Sequence, residues 1–220
     1  MSCACRGADD APADAEGQPV SDGRRAAHGE ATPAHEPPRN PPRPSRAVRA
    51  RSLVVVNTGD GKGKTTAAMG TLLRAVARGW RVCVIQFIKS GRWKAGEEAI
   101  ARRLGVEWWT MGDGFSWESA DLDRSAALAR SAWEAAKATI ASGAFDLVVL
   151  DEITYPMNWG WIPTAEVVAT IRNRPVHVNV VATGRDAPPA LVEVADTVTE
   201  MQKVRHAYDR GIRAHRGIDF

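Results

Sequence analysis

The stretch NTGDGKGKTT (57–66) combines glycine, lysine and threonine at a spacing that suits the binding of an anion. It follows the apolar run LVVV and leads into a pattern of helical period. Glycines let consecutive backbone N–H groups approach an anion closely, and the start of a helix adds the positive end of its dipole. We therefore expect phosphate here, with Lys64 neutralising its oxygens and the Thr65 hydroxyl ligating a bridging Mg²⁺ ion.

This stretch matches the P-loop pattern GxxxxGK[ST] only in part. Gly63, Lys64 and Thr65 agree with the pattern, whereas Thr58 stands where it has its first glycine. A flexible glycine loop without a ligand is the alternative interpretation. The strand before the loop and the helix after it favour the phosphate site.

A carboxylate at the end of a neighbouring buried strand would complete a nucleotide site. The run LVVL (147–150) delivers Asp151 and Glu152 to such a strand end, and we expect one of them to serve Mg²⁺. A strand can also end in a solvated acid, so this pattern has weight only together with the loop. The pair indicates a Mg-nucleotide site and leaves three reactions open: hydrolysis, phosphoryl transfer, or attack at a carbon of the nucleotide.

The loop GDGFSWES (112–119) carries two large aromatic residues, Phe115 and Trp117, between glycine and polar residues. It follows a strand and is expected at the same edge of the sheet as the phosphate site. The aromatic pair fits either a satellite cluster under the sheet or a hydrophobic wall for a large, flat ligand.

Apolar runs of strand length alternate with helical patterns from residue 52 onward. The predicted strands are 53–57, 81–89, 106–111, 145–153, 177–184 and 196–201, and the predicted helices are 64–78, 97–104, 120–141, one that begins at Pro163, and 188–195. Because the strands are apolar throughout rather than alternating, they are expected to be buried on both faces. This pattern predicts an α/β fold with a parallel sheet covered by helices on both sides, and ligands at the carboxyl ends of the strands.

The first 51 residues differ in composition from the rest of the chain. Eight of the thirteen prolines and none of the eight tryptophans lie in the first 50 residues. Such a segment buries too little apolar surface to offset the entropy of ordering it, so we expect a disordered tail at 1–51 and one domain at 52–220. Five arginines near its end could suit an anionic partner, although a solvated leader is the simpler interpretation.

Charge and hydropathy exclude several functions. The net charge of +3 gives no case for nucleic-acid binding. No apolar run reaches the roughly 18 residues that a membrane span needs, and the amino terminus lacks the apolar core of a signal peptide, so we expect a cytoplasmic protein. Cys3 and Cys5 have no ligand partners at metal spacing, and Cys83 is expected to be a buried, reduced thiol.

Several segments together resemble the P-loop corrinoid adenosyltransferases, the ATP:cob(I)alamin adenosyltransferase family. These segments are NTGDGKGKTTAAMGTLLRAVARG, VIQFIK, GFSWES, VVLDEITY, VVATGRDAPPALVEVADTVTEM and VRHAYDRGIRAHRGIDF. The resemblance covers residues 52 to 220 and implies a P-loop NTPase-like three-layer α/β/α fold with a mainly parallel six-stranded sheet. It also implies transfer of the 5′-deoxyadenosyl group of ATP to Co(I) of a cobalamin or corrinoid precursor, with release of triphosphate, in adenosylcobalamin biosynthesis or salvage.

The resemblance assigns roles to individual residues. Lys64, Phe115 and Trp117 would be catalytic, with the aromatic pair excluding water and the lower axial ligand so that Co(II) is easier to reduce. Thr65 and Glu152, rather than Asp151, would serve Mg²⁺, or Mn²⁺ in its place. The nucleotide would contact Thr58, Gly59, Asp60, Gly61, Lys62, Gly63, Lys64, Thr65, Thr66 and Arg185.

The resemblance also implies partners and shows two departures. A reduced flavoprotein such as flavodoxin would donate electrons, and the protein would be a homodimer. Asp60 stands where an asparagine is expected, and the proline-rich segment before Ser52 looks unable to form the amino-terminal helix that family members can close over the corrinoid. An ATPase or kinase would release phosphate or ADP instead of triphosphate, and a non-catalytic ATP-dependent corrinoid-binding protein would form no Co–C bond.

Overall fold

The computed structural model describes residues 48–90, 96–112 and 122–219. In these ranges the strands are β1 (Val54–Thr58), β2 (Val82–Ser90), β3 (Glu107–Gly112), β4 (Leu147–Asp151), β5 (Asn179–Thr183) and β6 (Thr197–Glu200). All six are parallel and form one sheet in the order β3-β2-β4-β5-β1-β6. The predicted six-stranded α/β fold is confirmed.

Six α-helices and one 3₁₀ helix accompany the described strands. They are α1 (Lys64–Val76), α2 (Gly96–Arg103), α3 (Leu122–Ser142), α4 (Thr154–Asn158), α5 (Thr164–Arg172), α6 (Pro189–Val194) and the 3₁₀ helix Ala207–Arg210. Within the described ranges, no helix combines the length and the apolar character needed to cross a bilayer.

The interior strands β1, β2, β4 and β5 are largely buried on both faces, where successive side chains point to opposite sides of the sheet. The predicted burial is wrong for the two edge strands, which have a neighbouring strand on one side only: every residue of β6 is exposed, and β3 has one buried residue. In β4, Leu147 and Val149 pack with the cluster that includes α1 and α2, whereas Val148 and Leu150 pack with the cluster that includes α3 and α5. Every residue of β4 is buried. A strand with helices on both faces must be apolar throughout, which is why the continuous runs predicted these strands correctly.

The end of β4 differs from the prediction. We expected the strand to continue to residue 153, but it ends at Asp151, and the short helix α4 follows. Glu152 has a φ of 65°, a left-handed conformation that breaks the strand, and Ile153 is already helical. The apolar Ile153 follows the two acids, so composition alone does not mark this boundary.

A smaller difference concerns the start of α5. Pro163 was predicted as the first helical residue, but it is the residue before α5 and has an extended ψ of 124°.

Cys83 is fully buried with a reduced thiol, as predicted, and burial raises its pKa to about 12. The predicted tail at 1–51 lies outside the described residues up to residue 47.

Candidate active site

The glycine-rich loop connects β1 to α1 and packs against the chain just after β6. The Gly61 amide donates to the Met201 carbonyl over 2.6 Å, and the Met201 amide donates to the Thr58 carbonyl over 2.8 Å. A Cβ atom at Gly59 or Gly61 would lie 2.5 or 2.7 Å from the Met201 carbonyl oxygen. The close approach of the segment around Met201 therefore requires glycine at both positions.

Thr58, which replaces the first glycine of the P-loop pattern, has a structural role. It is the buried last residue of β1, and its hydroxyl accepts a hydrogen bond of 3.1 Å from the Ala187 amide. This bond joins the start of the loop to the segment that follows β5. Gly63, at the other end of the loop, has a φ of 121°, a conformation that favours glycine.

Lys64 is folded over the loop. Its ammonium group donates to the carbonyl oxygens of Gly59 and Gly61 over 2.6 and 2.8 Å. The pKa of Lys64 is lowered, first by burial and then by the charge of Arg185, while nearby carboxylates including Glu152 raise it. The lysine thus lies among the loop carbonyls, the arginine and the acid that the sequence analysis assigned to one site.

Asp151 is the buried centre of a hydrogen-bond network. Its Oδ1 accepts from the hydroxyls of Thr65, at 2.8 Å, and Thr183, at 2.7 Å, while its Oδ2 accepts from the Gln86 amide at 2.9 Å. The Lys89 ammonium lies 3.7 Å from Oδ2. Burial lowers the pKa of Lys89, but Asp151 and the adjacent acid outweigh this and raise it overall.

The network shows that one detail of the prediction is wrong. The acid was expected at the end of a strand next to β1, but β5 lies between β1 and β4 in the sheet. Thr65 nevertheless reaches Asp151 from the start of α1, and Thr183, at the end of β5, donates a hydrogen bond to the same carboxylate.

Glu152 has the properties of a cation ligand. Among the described residues, its Oε2 is buried and has no hydrogen-bond partner. Burial raises its pKa to about 7, and the charge of Asp151 adds to this effect. A buried carboxylate without a partner costs free energy that a divalent cation would recover, so Glu152 fits Mg²⁺.

The described side chains contain no cluster of three or more His, Cys, Asp or Glu that could hold a metal ion. This agrees with the usual behaviour of Mg²⁺, which takes one or two protein ligands and completes its shell with phosphate oxygens and water. Thr65 and Glu152 could supply that protein share.

Arg185 lies just after β5. Its carbonyl oxygen accepts from the Thr154 hydroxyl over 2.6 Å, and its Nε is 3.9 Å from Oδ1 of Asp60. Asp60 and Arg185 line a cleft of about 450 Å³ together with Glu200, Met201, Gln202 and Lys203. Asp60 stands where the resemblance implies an asparagine, and its carboxylate pairs with Arg185.

Lys62 has a partner that the sequence did not reveal. Its ammonium lies 2.8 Å from Asp219, near the end of the chain. The pKa of Asp219 is lowered, first by a hydrogen bond from the His215 amide and then by Lys62. The carboxyl-terminal residues thereby contact the loop, a link that no local sequence pattern indicates.

The remaining predicted residues have different outcomes. Thr66 is an exposed residue in the first turn of α1. Phe115 and Trp117 lie outside the described residues, so their roles stay predictions. An aromatic cluster that the sequence analysis did not single out follows β4: the ring centroids of Tyr155 and Trp159 are 5.7 Å apart, and those of Trp159 and Trp161 are 4.7 Å apart.

Comparison with known proteins identifies relatives of the whole described domain. The family model of the ATP:corrinoid adenosyltransferase BtuR/CobO/CobP matches residues 50–220. The corrinoid adenosyltransferase of Escherichia coli K12 is 42% identical over 178 residues, which cover 81% of this chain and 90% of the relative. Corrinoid adenosyltransferase CobA of Salmonella typhimurium LT2 is also 42% identical over the same shares, and the corrinoid adenosyltransferase of Pseudomonas aeruginosa PAO1 is 44% identical, covering 80% and 87%.

Proposed function

Because this chain belongs to the ATP:corrinoid adenosyltransferase family BtuR/CobO/CobP, we propose that its glycine-rich loop binds the triphosphate of ATP as the leaving group. The chain is a corrinoid adenosyltransferase, and its substrates are ATP and a corrinoid. The assignment of the individual residues is our proposal. The observation that carries it is the position of Lys64, which lies over the loop and within the electrostatic reach of Arg185 and Glu152.

The reaction needs little activation of its nucleophile. The electron pair of Co(I) forms a bond to C5′ of ATP, the C5′–O bond breaks, and the departing oxygen of triphosphate keeps its electron pair. The protein therefore has to align C5′ with the cobalt and stabilise the charge of the leaving group. No side-chain base is needed, because Co(I) carries no proton that must be removed in this step.

The loop can perform the second task with fixed groups. The amides at the start of α1 and the Lys64 ammonium provide positive charge in a loop that Met201 holds in place. Fixed donors stabilise a developing anion without reorganising during the reaction. Lys64 would exchange the carbonyl oxygens of Gly59 and Gly61 for phosphate oxygens when ATP binds.

Thr65, Asp151 and Glu152 would form the cation side of the site. When bound, Mg²⁺ would neutralise part of the triphosphate charge. The Thr65 hydroxyl donates a hydrogen bond to Asp151, so its oxygen lone pairs are left to face a cation. Asp151 would thus orient Thr65, while the buried, unpartnered oxygen of Glu152 would be a direct ligand.

The corrinoid side rests on the resemblance of GFSWES to the family. We propose that Phe115 and Trp117 pack against the corrin and displace the lower axial ligand, which makes Co(II) easier to reduce. A reduced flavoprotein such as flavodoxin would then supply the electron, and the active form would be a homodimer.

The experiment that tests the assignment is an assay of the full chain with MgATP and chemically prepared Co(I) forms of several corrinoids. The expected products are one light-sensitive Co–C bond and one intact triphosphate for each turnover. Formation of ADP and phosphate without a Co–C bond would indicate ordinary phosphate chemistry. Binding of ATP and corrinoid without either product would indicate a carrier.

A further inference from the structure

A carboxylate of the phosphate loop faces the arginine that the proposed function assigns to phosphate. Oδ1 of Asp60 is 3.9 Å from Nε of Arg185, and both residues line the same cleft of about 450 Å³. The other charged residues of this cleft are Glu200 and Lys203, so its lining holds two acids and two bases. The two acids offset the positive charge that Arg185 and Lys203 would otherwise present to a highly charged anion.

The backbone on both sides of this ion pair is fixed. The loop around Asp60 is held by two hydrogen bonds: the Gly61 amide donates to the Met201 carbonyl, and the Met201 amide donates to the Thr58 carbonyl. The carbonyl oxygen of Arg185 accepts hydrogen bonds from Thr154 at 2.6 Å and Asn158 at 3.4 Å. The side chains of Asp60 and Arg185 are 75% and 53% exposed. An incoming anion can therefore displace the pair by side-chain rotation, but the carboxylate stays in the cleft.

We propose that Asp60 competes with triphosphate for Arg185 and so limits how tightly the enzyme retains its product. This inference rests on the proposed function. When the C5′–O bond breaks, the departing oxygen keeps the electron pair, and triphosphate carries one more negative charge than it did as an ester. A site of strongly positive charge would hold this product more tightly than the substrate, and a carboxylate that pairs with Arg185 opposes that retention.

The test is titration calorimetry of inorganic triphosphate with Mg²⁺ into the full-length protein and its Asp60→Asn variant. Because exposed ion pairs are weak, we expect the variant to bind roughly two- to fivefold more tightly. Its inhibition constant for triphosphate in the adenosylation assay should fall by the same factor. Glu200→Gln removes a carboxylate from the same cleft but no ion pair with Arg185, and its gain in affinity should be smaller.

A double-mutant cycle shows whether Asp60 acts through Arg185. In the Arg185→Gln background, the effect of Asp60→Asn on triphosphate affinity should largely disappear. The inference is overturned if Asp60→Asn leaves affinity unchanged or weakens it, if Glu200→Gln gives an equal gain, or if the effect persists without Arg185. Failure of the wild-type protein to bind triphosphate at all would instead contradict the proposed function.

Discussion

The hydroxyl of Thr65 donates a hydrogen bond of 2.8 Å to Oδ1 of Asp151, and this bond joins the start of α1 to the end of β4. Strand β5 lies between β4 and β1, and its Thr183 donates to the same carboxylate oxygen. The phosphate loop and the acidic strand end are thereby held in one network. This relationship places the groups that we assign to the leaving group and its cation at one edge of the sheet.

The Thr65 hydroxyl should be needed for the divalent cation. Thr65→Val removes both the donor to Asp151 and the oxygen that would face Mg²⁺, whereas Thr65→Ser retains them. We expect the valine variant to need roughly 10- to 100-fold more Mg²⁺ for half-maximal activity, as removal of groups around metal ligands commonly does. Mn²⁺ binding measured by electron paramagnetic resonance provides a readout besides activity. Equal metal dependence of the two variants would disprove this role.

Lys64→Ala should remove activity whichever cobalt state is supplied. The lysine would stabilise the leaving triphosphate. This stabilisation is needed with chemically prepared Co(I) as well as with Co(II) and a reductant. We expect a loss of at least about 100-fold in the initial rate of Co–C bond formation. Lys137→Ala is the control, because that lysine pairs with Glu134 and Glu166 away from the loop. An undiminished rate in Lys64→Ala would contradict the phosphate assignment.

Glu152 should make the protein less stable as pH rises when no divalent cation is present. Its pKa of about 7 lies above the ordinary value of 4.5, so the folded state binds the proton more strongly than the unfolded state. The resulting stability is fully present below about pH 4.5 and is lost as pH rises through about 7. Relative to Glu152→Gln, the wild type should lose on the order of 1–3 kcal/mol between about pH 5 and 8.

Urea unfolding in the presence of a chelator measures this difference. The glutamine side chain at position 152 does not titrate, while the other groups titrate in both proteins, so the variant serves as the internal reference at each pH. A difference between the two proteins that stays constant from about pH 5 to 8 would show that Glu152 has no raised pKa in the folded state.

Trp117→Ala should separate reduction from alkyl transfer. If Trp117 displaces the axial ligand, its loss should slow the reaction that starts from Co(II) and a flavoprotein donor far more than the reaction given Co(I). Trp80→Ala is the matched control, because Trp80 is 42% exposed and lies just before β2, at the end of the strands opposite the phosphate loop. Equal losses in the two assays would argue against a reductive role for Trp117.

The sequence predicted the fold well because local chemistry determines its elements. Continuous apolar runs such as that of β4 predict strands buried on both faces, and the structure confirms this for the interior strands but not for the edge strands β3 and β6. The short helix α4 was missed because the strand was predicted to continue to Ile153, whereas the positive φ of Glu152 ends it and the helix follows. A backbone conformation of this kind leaves no trace in composition.

The contacts that complete the site come from positions distant in sequence. The order of strands decides that β5 separates β1 from β4, and apolar runs carry no information about that order. The pairs Lys62–Asp219 and Asp60–Arg185 join the loop to segments far along the chain. Local patterns therefore located the phosphate loop and its acids, but they could not show which charges pair with them.

A structure of the full chain with bound MgATP tests the central claim most directly. We expect triphosphate against the loop and Lys64, the cation beside Thr65 and Glu152, and C5′ of the sugar directed away from the loop. If the adenosine end were buried and the terminal phosphate pointed outward, the loop would not hold a leaving triphosphate, and the account would be contradicted.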